Sequence, residues 1–234
     1  MTSPGGRRYR WLSLAVALLV TAGCGAEDGS GPGHGSAPVP SPVPYAQAVE
    51  LVPIDGSAER PLHWELDLPA DPELAAAVTA VQHYEATWQW LLAQPTAVSA
   101  EQLSLLDWFS LPEEADRQRD LLTASLPSST QLTGPRWIRL LAVESERAGE
   151  ALVVMCVDTG WYTEAGVAGE PRSPDRADVY AYQVVRRPAP DGVERWRVQR
   201  SAINPMHEQD WFPDDVSTWH HTCAQWATHA PDDA

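Results

Sequence analysis

The chain has 234 residues, 44% of them hydrophobic, and its 16 basic against 32 acidic side chains give a formal net charge of −16. That balance argues against nucleic-acid binding, whose affinity rests on cationic neutralisation of phosphates, and against a domain lying on anionic lipid headgroups. Every basic residue is Arg, and the three cysteines are Cys24, Cys156 and Cys223.

Arg7, Arg8 and Arg10 precede an apolar core from Trp11 to Val20, and the small residues Ala22 and Gly23 stand before Cys24. This is the order of a secretory signal, with a core too short to span a bilayer, for which roughly 20 apolar residues are needed. Val20-Thr21-Ala22-Gly23-Cys24 resembles the lipobox of bacterial lipoproteins, with Thr21 where Leu is usual. The resemblance implies a signal peptide over residues 1–23, cleavage before Cys24, and lipidation of that cysteine. Attachment to membrane lipid through Cys24 at the outer face would then be stable, because two or more acyl chains hold where one does not. An uncleaved anchor and ordinary cleavage near Ala22 are the alternatives. The Arg-only basic set and abundant Ala, Pro and Gly suggest a GC-rich genome and, with the lipobox, an actinobacterium.

Residues 24–44 are Gly, Ser and Pro with few apolar side chains, which reads as a disordered tether that cannot repay the entropy of ordering. Residues 45–70 read as an extended segment in which Leu62, Trp64, Leu66 and Leu68 alternate as in an edge strand. Asp71-Pro72-Glu73 is a helix start, and Leu74, Ala77, Val78, Val81, Tyr84, Trp88, Leu91 and Leu92 recur at helical spacing until Gln94-Pro95. Ser99 opens a second helix through Leu103, Leu105, Leu106, Trp108 and Phe109. A third starts at Leu111-Pro112-Glu113-Glu114 and runs to Leu126-Pro127.

After Gly134-Pro135 the period changes to two. Strands are expected around Trp137 to Val143, Ala151 to Val157, Ala177 to Arg187 and Trp196 to Ala202, with Pro190-Asp191-Gly192 as hairpin turn chemistry. Three helices followed by a four-stranded antiparallel meander make an α+β domain over residues 71–234. From Asn204 onward the tail, rich in Trp, His and Asp, shows no clear period.

In an oxidising compartment Cys156 and Cys223 are expected to form a disulfide. Closing a loop of that length contributes about 4 kcal/mol in the chain-entropy model. The alternative is Cys156 as a buried thiol in Leu152-Val153-Val154-Met155-Cys156-Val157.

The long first helix before a meandering curved sheet resembles the cone-shaped folds of the nuclear transport factor 2-like family. The lipobox, the tether, Cys156-x-Asp158 followed by Trp161, Gly192-x-x-x-Trp196-x-Val198 and the late Cys223 together resemble nuclear transport factor 2-like lipoproteins of actinobacteria. The resemblance covers residues 71 to 226. It implies a cone of helices packed on a curved sheet, a tie between Cys156 and Cys223, and no established reaction.

A cone of this kind encloses a pocket for a small apolar ligand, which Tyr84, Trp88, Trp137, Tyr180, Tyr182 and Trp196 could line; the competing reading is that they fill the core. An isomerase- or dehydratase-type enzyme would need a buried carboxylate or His in the cone, for which Asp158, Asp107 and His83 are the candidates. His207, His220, His221, Cys223 and His229 among Asp210, Asp214 and Asp215 are metal-ligand types, but their spacing points to no metal and no cofactor. The function expected is a non-catalytic binding or assembly module at the cell envelope. Its partner would be a small apolar ligand, an envelope protein or, through the sheet, a second copy.

Overall fold

The computed structural model describes residues 43–94, 98–125, 132–159, 163–164, 177–205, 211, 216–227 and 229. Cys24, the leader and residues 24–42 of the tether lie outside the described residues, as do Trp161, His207, Asp210, Asp214 and Asp215.

The long helix forms where its signals stand. In α2 (Pro72–Leu92) the Asp71 carboxylate accepts from the Glu73 amide at 2.8 Å, and Pro72 holds the first position. Pro112–Ser125 is also helical and is called α5. Ser99 and Gln102 form a capping box at the start of α3 (Ala100–Leu103). The second expected helix is broken there: the Ser104 hydroxyl turns back to the Glu101 carbonyl, and α4 (Leu106–Phe109) follows as a separate turn.

Two helices were not expected. Residues 45–70 open with α1 (Tyr45–Leu51), which buries Ala48 against the core, so the extended reading of that segment holds only for β1 (Leu62–Glu65). The tail forms α6 (Val216–Trp226).

The main sheet has five strands, one more than the four expected. β3 (Arg136–Arg147), β4 (Glu150–Asp158), β6 (Ala177–Pro188) and β7 (Glu194–Ile203) run antiparallel in succession. β1 adds a parallel edge strand beside β3, which makes the sheet mixed and gives the order β1-β3-β4-β6-β7. β2 (Leu132–Thr133) and β5 (Thr163–Glu164) pair apart from it. Register shifts at Leu140/Ala142 and Gln183/Val184 bend the strands, and the sheet curls. At the hairpin turns Gly149 (φ 75°) and Gly192 (φ 80°) take the left-handed conformation that costs glycine nothing.

β4 is buried along its whole length because each face has a cover. Val153, Met155 and Val157 pack with Val78, Val81 and Tyr84 of α2, while Leu152, Val154 and Cys156 pack with Cys223, Trp219 and Trp226 of α6. A disulfide joins Cys156 to Cys223 with their Cα atoms 5.3 Å apart, so the helix is held to the strand covalently. α6 therefore packs on the sheet face opposite α2.

Polar groups enter the core in two sets. The Tyr182 hydroxyl donates to Glu85 Oε1 at 2.7 Å, and Arg136 Nη1 lies 3.5 Å from Glu85 Oε2, with both charged side chains buried. One residue earlier on α2, Tyr84 donates to Glu114 Oε1, which also accepts from Arg117, Gln118 and Ser201. Burial pushes Glu114 upward, but the bonds from Arg117, Tyr84 and Gln118 outweigh it and hold the carboxyl below its ordinary value.

Tyr182→Phe removes a donor from a buried carboxylate and is expected to cost about 2 kcal/mol, with Tyr182→Ala costing about 3–5 kcal/mol, by urea denaturation of the disulfide-intact chain. Unchanged stability in the Ala variant would place the ring on a cavity wall instead. Because Glu114 has a lowered folded pKa, its contribution is complete above the ordinary carboxyl value and is lost as pH falls through the folded one. Melting temperature is thus expected to drop as pH falls below about 4.5, and Glu114→Gln should flatten that acid limb.

Candidate functional site

A partly open cleft of about 360 Å³ lies towards the start of α2 among the described residues. Its floor exists because α2 carries small residues there. Ala76, Thr79, Ala80 and His83 fall on one helical face, at steps of three and four. Facing them are Tyr45 of α1, Trp108 and Phe109 of α4, and Arg195 and Trp196 of β7.

The aromatic wall is tightly coupled. Tyr45 lies 5.6 Å from Trp108 and 6.1 Å from Phe109, centroid to centroid, and His83 stacks on Phe109 at 5.3 Å and 16°. Trp108 is fixed further by its indole N–H, which donates to the Val43 carbonyl at 2.8 Å. Burial lowers the His83 pKa and so favours the neutral imidazole.

Arg195 brings the one charge in this wall among the described residues. Its guanidinium sits 4.1 Å above the Tyr45 ring and 5.8 Å from that of Trp108. Two bonds tie it to Asp191, at 2.6 and 2.9 Å. Asp191 stands in the hairpin turn expected from sequence and also accepts from the Val193 amide. Behind the wall, buried Arg197 donates to the carbonyls of Asp107, Ser110 and Pro188, fastening the end of α4 to β7.

A second cluster lies at the β1 edge of the sheet. The His229 ring stacks on Trp137 at 4.9 Å, and His63 stacks on Trp137 at 5.3 Å. His229 Nδ1 is 3.1 Å from Asp158 Oδ2, its Nε2 is 3.2 Å from Glu65 Oε1, and Trp226 donates to Glu65 Oε2. The tail is thereby bound to the strand ends of β1 and β4. No group of three His, Cys, Asp or Glu with metal-binding geometry occurs among the described residues.

Of the six aromatic residues expected in a pocket, only Trp196 lines this cavity. Tyr84 and Tyr182 are 2% and 1% exposed and belong to the core, Tyr180 lies against it beneath the Arg136 guanidinium, and Trp137 is enclosed by the two imidazoles. Trp88 packs instead with Leu91, Leu106 and Leu122. Among the three acid–base candidates, His83 alone reaches the cavity. Asp158 is buried at the far edge with His229, and Asp107 pairs with Arg119 at 2.6 Å on the surface. Tyr45, Trp108, Phe109 and Arg195 were missed as site residues. The spacing Asp191-x-x-x-Arg195 after a turn was the available signal for the last of them.

Comparison with protein-family models, with curated proteins and with solved structures finds no match for the chain.

His229→Ala takes a hydrogen bond from the fully buried Asp158 carboxylate and is expected to cost about 1.5–3 kcal/mol in chemical denaturation. His221→Ala, on the exposed side of α6, should change stability by less than about 0.5 kcal/mol. Equal effects from the two would mean that the edge cluster contributes nothing special.

Proposed function

We propose that the chain is an exported lipoprotein, held at the outer face of the cell membrane through Cys24, whose domain binds a small molecule in the cleft between α1, α2, α4 and β7. The observation that carries the binding reading is the cleft itself: five aromatic rings, counting His83, around about 360 Å³, with no carboxylate among the described wall residues. Ligand sites are typically concavities of this kind, mostly apolar with a few placed polar groups.

Export is supported by the Cys156–Cys223 bridge, since disulfides persist in oxidising compartments and are rare in the cytosol. The strongly acidic balance suits a domain standing off anionic headgroups on its tether. A long helix against a curled sheet supports kinship with the nuclear transport factor 2-like cone, with β1 and α6 as additions to that plan. Catalysis is a second reading, favoured by the half-buried neutral His83 in the cavity wall. Binding is preferred because no wall carboxylate is placed to orient that imidazole.

Cys24→Ala is expected to move the protein from the membrane fraction to the soluble exterior and to remove the acyl mass from its first peptide. Retention in the membrane fraction by the variant would overturn the anchor. For the cavity, native mass spectrometry of the full chain in detergent should show a bound small molecule that is lost in Ala76→Trp, which fills the cleft from the exposed flank of α2.

A further inference from the structure

We propose that Asp191, which lies outside the cleft, sets its ligand class: by neutralising Arg195 it makes the cleft select a flat, uncharged ring compound and turn away both anions and cations. The inference rests on the binding reading above and specifies what is bound.

The charges in the wall decide against ions. An organic cation would seek the faces of Tyr45 and Trp108, because aromatic faces attract cations within about 6 Å. Arg195 already lies over both rings, at 4.1 and 5.8 Å. An organic anion would seek the Arg195 guanidinium, but two of its N–H groups are bonded to Asp191, and Nη1 also reaches the Val193 carbonyl. Arg195 is mostly buried while Asp191 is more open, so the turn supplies the counter-charge from the solvent side. An incoming anion meets a charge already compensated by a carboxylate of the same hairpin.

The remaining polar groups favour a neutral ligand with a hydrogen-bonding edge. Thr79 donates to the Ala75 carbonyl and Trp108 to that of Val43, so neither has a donor to spare. His83, neutral and stacked on Phe109, offers one donor and one acceptor. The Trp196 indole N–H has no hydrogen-bond partner. With Ala76 and Ala80 as a flat floor opposite the rings, the space suits a planar ring that stacks rather than a branched chain.

The test titrates the full lipidated chain in detergent by equilibrium dialysis with three probes of similar size: coumarin (neutral, with a carbonyl acceptor), 2-naphthoate and trimethylanilinium. Coumarin is expected to bind at least about tenfold more tightly than either ion, and Ala76→Trp should abolish its binding. Asp191→Asn keeps the turn and removes the counter-charge. It should raise 2-naphthoate affinity about fivefold, the upper end for a partly exposed ion pair, while coumarin moves less than about twofold. Tighter binding of 2-naphthoate or trimethylanilinium than coumarin by the unaltered chain, or no gain for the anion in Asp191→Asn, overturns the assignment and leaves the cleft as a binding site. If none of the three probes binds, or if Ala76→Trp binds coumarin as well as the unaltered chain does, the binding reading falls with it.

Discussion

A single carboxylate governs how the long helix meets the sheet. Glu85 is 3% exposed on α2, and a charge withdrawn from water in that way is tolerable only when paired and hydrogen-bonded. Tyr182 of β6 and Arg136 of β3 meet it from two strands that flank β4, so a slip or rotation of α2 would strand the charge. The residue before it works in a different direction. Tyr84 reaches Glu114 on α5 and Ser201 on β7, and two neighbouring residues thus tie one helix to three strands and a second helix. These bonds add less net stability than the apolar contacts around them, but they define one arrangement because the alternatives leave buried polar groups unmet.

The position of the cleft follows from that fixed axis. Tyr84 and Tyr182 are buried in the interior of the curled sheet with their rings edge to face, 6.0 Å apart. One and two turns earlier along α2 the side chains shrink to Ala80 and Ala76, and the helix no longer fills the gap to α4 and β7. Arg197 keeps that gap open in a defined shape by gripping the carbonyls at the end of α4 and at the end of β6. The aromatic wall is therefore carried by rigid neighbours, although α1 and α4 are themselves only two turns and one turn long.

Much of this was legible in the sequence, and the losses have physical reasons. Asp71-Pro72-Glu73, Ser99, the Pro190-Asp191-Gly192 turn and the cysteine pair each name a local geometry that few alternatives satisfy, and each is found. α1 was hidden between Pro44 and Pro53, although Tyr45, Ala48, Val49 and Val52 keep helical spacing. α6 was hidden by its Thr and His residues, although Val216, Trp219, Cys223 and Trp226 keep it too. The run from Ala151 to Val157 carried a further message. Apolar side chains at every position mean that both strand faces are covered, and helices on one face alone cannot cover the other. The site was harder to read because a period of two or 3.6 tells which way a ring points but not whether the space it points into is already full.

The covalent tie and the edge cluster then act on one element from two sides. Cys223 fixes the middle of α6 to β4, while Trp226 and His229 fix its end to Glu65 and Asp158, at the ends of β1 and β4. The disulfide limits the unfolded chain by closing a loop between residues 67 apart, whereas the cluster acts only in the folded state by giving Asp158 a partner. Together they keep Leu152, Val154 and Val179 dry, and a β4 that is dry on both faces is what allows Val153, Met155 and Val157 to pack against α2 in one register. The cleft at the far end of α2 therefore depends on a clasp on the opposite face of the sheet. That dependence joins the cleft and the C-terminal helix within one compact unit.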